Sequence, residues 1–209
     1  MHCILCKCDR TDVFSRIYNK VYLKCDNCNL VFLSPDYHPN PIEEYSRYAT
    51  HNNNPHDLRY RRFLNRLAQP LSKCLSKGST GLDYGSGPGP TLSLMLTEQG
   101  FPTQIYDPFF ATNKKVLESS YDFITCTEAI EHFFNPAKEF ELLNSMLNPQ
   151  GYLGIMTDIF YQEIDFDDWY YHKDFTHVGF YSLNTIQWIA QHFGWAWESP
   201  RRNVIIFKK

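Results

Sequence analysis

No stretch of the 209-residue chain approaches the roughly twenty consecutive apolar residues that span a bilayer, and this excludes a helical membrane protein. The opening residues, Met1-His2-Cys3-Ile4-Leu5-Cys6, lack the charged and apolar segments of a secretory signal, so a cytoplasmic location is expected. Charge of neither sign dominates: 20 basic and 23 acidic residues leave a net charge of −3. That balance supplies no long-range attraction for phosphate backbones, although a local basic patch stays open. There is no internal repeat and no low-complexity run, which removes the repeat architectures. What is present is a core-forming composition, with 43% hydrophobic and 16% aromatic residues. The length suits one main domain plus a small appendage.

Seven cysteines in a reducing compartment bind metal more often than they pair. Cys3 and Cys6 are separated by two residues, as are Cys25 and Cys28. That spacing lets both thiolates of each pair reach one ion from a tight turn, so the quartet supplies four soft ligands for tetrahedral Zn2+. The eighteen residues between the pairs suit the hairpin of a zinc ribbon, and Cys8 is a further thiol able to compete with Cys6. Such a site closes on itself and is structural, replacing the core that about thirty residues cannot build. Redox or incidental cysteines are the alternative. Cys74 and Cys126 fall in helix and strand patterns and read as packing residues.

Short β-type runs, Val21-Tyr22-Leu23 and Leu30-Val31-Phe32-Leu33, complete a module over residues 1–34. Residues 35–55 carry four prolines and the run Asn52-Asn53-Asn54, which predicts a linker or lid. The spacing of Tyr60, Phe63, Leu64, Leu67 and Leu71 predicts a helix over 57–75, with Arg59, Arg61, Arg62 and Arg66 between them and Pro70 as a kink or break. Beyond it, strand and helix alternate. Strands are predicted at 81–84, 103–106, 122–127 and 152–157, and helices at 90–99 and 136–147. The second helix has Asn135 as N-cap, Pro136 at its first position and Asn148-Pro149 as its stop. A capped helix over 182–193, with Ile186, Ile189 and Phe193 inward, precedes two β-runs near 195–197 and 204–207. The alternation predicts an α/β domain over 56–209, a parallel sheet with helices on both faces.

The turn Gly81-Leu82-Asp83-Tyr84-Gly85-Ser86-Gly87-Pro88-Gly89 lies between strand and helix, at the sheet edge where such folds bind ligands. It lacks the Gly-Lys-Ser/Thr ending of a P-loop and the third glycine of the dinucleotide fingerprint, where Leu92 stands. Asp83 precedes the glycines within the strand. Asp107 follows the next strand, placed either to accept hydrogen bonds from ribose hydroxyls or simply to turn the chain before Pro108.

With these residues in view, the segment from 81 to about 207 resembles class I S-adenosyl-L-methionine-dependent methyltransferases. The stretch from Asp83 to Gly89 is similar to that family's glycine-rich first motif, and Tyr106-Asp107-Pro108 to its ribose-binding second motif. Tyr121-Asp122-Phe123-Ile124-Thr125-Cys126-Thr127-Glu128-Ala129-Ile130-Glu131-His132 resembles the fourth strand and its Ile-Glu-His ending, and Asn148-Pro149-Gln150-Gly151-Tyr152-Leu153 the turn into the fifth. Residues 45–64, 107–110 and 169–182 resemble a bacterial subgroup in which a two-knuckle zinc module precedes the methyltransferase domain, so the likeness covers nearly the whole chain. It implies a Rossmann-like, doubly wound sheet of the seven-stranded type. Only thirteen residues separate Asp107 from Tyr121, so the third strand is expected to be short or missing, and no acidic partner for the adenine can be assigned.

The resemblance implies S-adenosylmethionine as methyl donor, held by Asp83, Gly85, Ser86, Gly87, Asp107, Thr127 and Glu128, with Tyr48 and His51 closing over its methionine end. A solvated linker is the other reading of Tyr48 and His51. His132 is placed beside the donor as a base, or equally as a residue that packs a helix start. The run from Trp169 to Tyr181 falls where an insert overlies the substrate, and its mix of rings and titratable groups suits a small, partly planar acceptor. Within it Asp174 is expected to orient His177 as an acid–base pair; a packed aromatic loop is the alternative. The implied function is methyl transfer to a small molecule, with oxygen, nitrogen or carbon as the accepting atom and no membrane partner. An RNA methyltransferase gripping nucleic acid with Lys7, Arg10, Arg16, Lys20 and Lys24 is a second reading. Asp9, Asp12 and Asp26, with Asp165, Asp167 and Asp168 in the insert, offset that charge. A non-catalytic binding module is the third. Oligomeric state is left undetermined by sequence.

Overall fold

The computed structural model describes residues 1–50 and 53–209. Strands β1 (Thr11–Ile17), β2 (Lys20–Cys25) and β3 (Val31–Leu33) form an antiparallel meander. A fourth strand closes this sheet from far along the chain: β8 (Gly179–Phe180) pairs with β3, Val31 opposite Phe180. The N-terminal segment is therefore built into the body of the protein. Cys3, Cys25 and Cys28, together with Leu30 and Phe32, are all wholly buried in the same core as Phe140, Ile155 and Ile186.

Within the stretch expected to be a linker, the structure contains α1 (Pro41–Tyr48). The Asn40 side chain accepts from the Ile42 and Glu43 amides, and Glu43 Oε2 accepts in turn from the Asn40 amide, a reciprocal capping box with proline in the first turn. Pro41, one of the prolines that suggested a loop, in fact starts a helix. A longer helix, α2 (Leu58–Cys74), is capped by Asp57 and continues through Pro70. It lays Leu64, Leu67, Ala68 and Leu71 on the sheet. The arginines between them bind locally: Arg61 pairs with Glu98, and Arg66 lies 5.5 Å above the Phe63 ring.

The main sheet comprises β4 (Gly81–Tyr84), β5 (Thr103–Tyr106), β6 (Tyr121–Thr127), β7 (Leu147–Met156), β9 (Ala196–Arg201) and β10 (Val204–Lys208), in the order β5-β4-β6-β7-β10-β9. The first four are parallel, and β10 runs antiparallel to both neighbours. Six strands of the seven-stranded type are present among the described residues, and the third, expected to be short or missing, is the one that is absent. The short connection after Asp107 becomes a 3-10 turn, Lys114–Glu118, that buries Val116, and β5 is left at the edge. Along β10, Ile205 and Phe207 point to one core cluster while Val204 and Ile206 point to the other, as a sheet covered on both faces requires. Helices α2 and α3 (Thr91–Glu98) cover one face, and α4 (Pro136–Met146) and α5 (Leu183–Phe193) the other.

Two local details differ from expectation. Asn135 stands before α4, but its side chain makes no capping bond; it accepts instead from Lys7 Nζ at 2.9 Å. Asn148-Pro149 ends α4 by entering a strand, since β7 pairs from Leu147 onward and kinks at Gln150, whose φ is +65°. Among the described residues no helix is long and apolar enough to cross a membrane.

Candidate active site

The carboxyl ends of β4, β5 and β6 open into a cavity of about 880 Å³, within the size range of small-molecule and cofactor sites. The glycine-rich turn forms one wall. Gly85 and Gly87 sit at φ +79° and +64°, where side chains are strained, and a Cβ on Gly85 would lie 2.8 Å from Ala129 Cβ. Asp107 holds this turn in place. Its Oδ2 accepts from the Gly87 amide at 2.9 Å, and its Oδ1 from the Phe109 and Phe110 amides at 2.8 and 3.0 Å. A carboxylate offers about four acceptor positions, so one remains beside the cavity. Asp83, predicted as a cofactor contact, is displaced from the wall. It is buried under the loop, where Thr125 Oγ1 donates to it at 2.8 Å. Burial pushes its carboxyl up to about 6, against the hydrogen bonds from Thr125 and the Ser93 backbone.

Thr127 and Glu128 continue the wall from β6. Glu128 adopts φ +47°, a conformation that persists at functional sites when the surroundings enforce it. Burial, then the charges of Glu131 and Asp158, push its carboxyl up to about 9. Among the described residues, Ser86 Oγ and Thr127 Oγ1 are buried without a hydrogen-bond partner. Both belong to cavity-lining residues, and a buried polar atom of this kind calls for a ligand or water.

The opposite side is assembled from α1 and the loop after β7. Tyr48 lines the cavity, packs against Phe109 and the His132 ring, and reaches Glu44 with its hydroxyl. Tyr45 stacks on Phe110 at 5.5 Å. His51 lies outside the described residues. Asp174 does not orient His177. Its Oδ2 accepts from Arg47 Nε and Nη2 at 3.0 and 2.7 Å, and its Oδ1 from Thr176 Nα and Oγ1. Burial opposes ionisation of Asp174, yet these bonds and the nearby His177 hold its carboxyl down at about 2. The acid facing His177 is Glu131, which stands in the Ile-Glu-His stretch with no role of its own expected from sequence. It is wholly buried and accepts from Tyr171 Oη at 2.5 Å and Thr157 Oγ1 at 2.9 Å. His132 and His177 meet edge to face, with ring centroids 4.7 Å apart. Tyr84 and Tyr106, from the two motifs, and Tyr60 and Phe63, from the helical stripe of α2, complete an aromatic lining.

At the N-terminus, the ligand atoms of Cys3, Cys6, Cys25 and Cys28 all lie within 4.8 Å of one another. The Sγ atoms of Cys3 and Cys28 are 3.5 Å apart, and those of Cys6 and Cys25 3.4 Å, close to the roughly 3.8 Å edge of a tetrahedral zinc thiolate. The two knuckles share one geometry. The Cys3 carbonyl accepts from the Lys7 amide and the Cys25 carbonyl from the Asn29 amide, with Lys7 and Asn29 both left-handed at φ +59° and +57°. Cys8 stands apart from the quartet, its Sγ accepting from the Arg10 amide.

Comparison with known families supplies the deciding observation: residues 51–199 match a family described as "Methyltransferase domain". The chain belongs to this family. No curated protein matches it. Among solved structures, a 1,6-didemethyltoxoflavin-N1-methyltransferase from Burkholderia thailandensis, solved with 1,6-didemethyltoxoflavin and S-adenosylhomocysteine, is similar at TM-score 0.55 and 12% identity. The match covers 95% of this chain and 99% of that one. An O-methyltransferase family protein from the same organism aligns at TM-score 0.51 and 15% identity, over 79% of this chain and 62% of that one. This methyltransferase-family chain thus spans under two thirds of the second neighbour's length. At these identities the likeness is one of fold.

Proposed function

We propose that this methyltransferase-family protein transfers the methyl group of S-adenosyl-L-methionine to a small-molecule acceptor, and that the cysteine quartet holds a structural Zn2+. The observation that carries the first reading is the pair of unpartnered buried hydroxyls, Ser86 and Thr127, beside a glycine turn too crowded for side chains. The fold neighbour solved with S-adenosylhomocysteine supports the same reading. Gly85, Ser86 and Gly87 let the backbone approach the ligand. Asp107 offers its remaining acceptor position to a ribose hydroxyl, and Glu128 and Thr127 face the methionine part. Bound there, S-adenosyl-L-methionine supplies a methyl carbon activated by its positive sulfur. Catalysis then rests on alignment and on proton removal. Tyr48, Tyr170 and Tyr171 position a flat acceptor and exclude water. His132 and His177 line the part of the cavity where an O–H or N–H acceptor must lose its proton.

The zinc reading rests on the twin knuckles and on the thiol spacing. Zn2+ there neutralises four thiolates and ties residues 3–28 together. Calorimetric titration of the zinc-loaded protein with S-adenosylhomocysteine is expected to give micromolar binding at one site per chain. Absence of binding while the zinc content stays at one per chain would remove the methyltransfer proposal.

A further inference from the structure

We infer that Glu131, His132 and His177 form a second metal site, on the cavity wall, for a divalent first-row transition ion. One ligand atom from each of the three lies within 4.8 Å of the others. Each ring is anchored to the backbone through one nitrogen. His132 Nδ1 donates to the Thr176 carbonyl at 3.0 Å, and His177 Nδ1 to the Tyr171 carbonyl at 2.7 Å. A carbonyl only accepts, so Nδ1 carries the proton and the lone pair of each neutral ring sits on Nε2. This backbone anchoring of the distal nitrogen is what metal-binding histidines show in most structures. Glu131 has its own supporting shell in Tyr171 Oη and Thr157 Oγ1. The two segments that carry the three residues are locked together, because the Val178 amide donates to the Glu131 carbonyl at 2.8 Å.

Charge points the same way. Glu131 is 0% exposed, and among the described residues the ion pairs with Lys or Arg lie elsewhere. A buried carboxylate without a cation is costly, and a divalent ion between it and two imidazoles offsets that cost. Three protein ligands with one side open to the cavity are the arrangement of a reactive rather than a structural site. Two nitrogens and one carboxylate select Fe(II), Mn(II), Co(II) or Zn(II) over the oxygen-seeking Mg(II) and Ca(II). On the methyltransfer reading, the open positions take the acceptor's oxygen or nitrogen, and the imidazoles then act on the acceptor through the ion rather than as bases.

The test is metal content and optical spectrum of the full-length, zinc-loaded protein titrated with Co(II) alone. Two ions per chain are expected: a zinc retained by the cysteines, and an exchangeable cobalt whose visible bands lack thiolate charge transfer. Glu131→Gln and His177→Ala should each weaken the cobalt site more than about 100-fold while zinc stays at one per chain. Zinc retention serves as the folding check, and Glu131→Gln, being isosteric, carries the test if His177→Ala loses its zinc. No cobalt bound at millimolar Co(II), or cobalt bound equally by Glu131→Gln, overturns the inference. Binding of S-adenosylhomocysteine, measured separately, is unaffected by either result.

Discussion

At the glycine-rich end of the cavity every wall comes from a continuous run of sequence: the turn after β4, the turn after β5 and the end of β6. At the opposite end, α1, the 3-10 turn Ile130–His132 and the loop from 170 to 177 meet from distant parts of the chain. The first end is fixed by parallel strand registers and by one buried carboxylate, Asp107, which bonds three backbone amides. The second is fixed by side chains: the Arg47–Asp174 pair, the Tyr171–Glu131 bond and the ring contacts Tyr45–Phe110, Tyr48–Phe109 and Tyr171–His177. On the proposed methyltransfer, this contrast corresponds to a scaffold for the donor and a separately adjustable surface for the acceptor.

Substitutions at either end sharpen the contrast. The largest effect is expected from Gly85→Val, which meets Ala129 and forces a branched side chain into a left-handed conformation. S-adenosylhomocysteine affinity should fall more than about 100-fold, and unchanged affinity by calorimetry would show that the turn does not hold the donor. Next, Asp107→Ala removes three charge-assisted bonds. A loss of about tenfold or more in affinity, in line with roughly 1.5–3 kcal/mol for such bonds, is expected in the same titration. Arg47→Ala breaks the tie between α1 and Asp174 at the other end. The pair is partly buried, its side chains 34% and 16% exposed, so a loss of on the order of 1 kcal/mol should raise KM for the acceptor about fivefold while donor affinity stays within about twofold. Equal changes in both would mean that the ends are not separable.

The smallest effect concerns Asp83. Its folded carboxyl is raised to about 6 by burial, above the unfolded value near 4. The protonated form is therefore the one that folding favours, and its stabilising contribution is complete below about pH 4 and lost as pH rises through 6. Asp83→Asn does not titrate. Its melting temperature relative to wild type should climb by on the order of 5 °C between pH 4.5 and 7.5, and a flat difference in thermal melts would remove the argument.

The glycine-rich end was legible because its chemistry is local: turn residues, strand runs and the acid after β5 are each readable within a few residues. The layered sheet with helices on both faces followed from the alternation, its Rossmann-like type from the family resemblance, and the short connection after Asp107 foretold the lost third strand. The other end was less so. Asp174 and His177 are close in sequence and suggested a pair, but Asp174 is engaged by Arg47, a residue no local pattern links to it. Glu131 was passed over because its role depends on Thr157 and Tyr171, which only the fold brings near. Helix α1 was hidden by its prolines, although Asn40 and Glu43 already stood at capping-box spacing.

One pairing also bears on how the chain is made. The N-terminal meander reaches completion only when Val31 meets Phe180, so during synthesis its outer edge waits until most of the polypeptide has emerged. Long-separation pairings of this kind form late and slowly, and an exposed strand edge is a template for association with other chains. A metal ion gripped early by the two knuckles would give that waiting segment a folded state of its own. Scarcity of zinc should then show first as aggregation of newly made chains, with mature molecules spared.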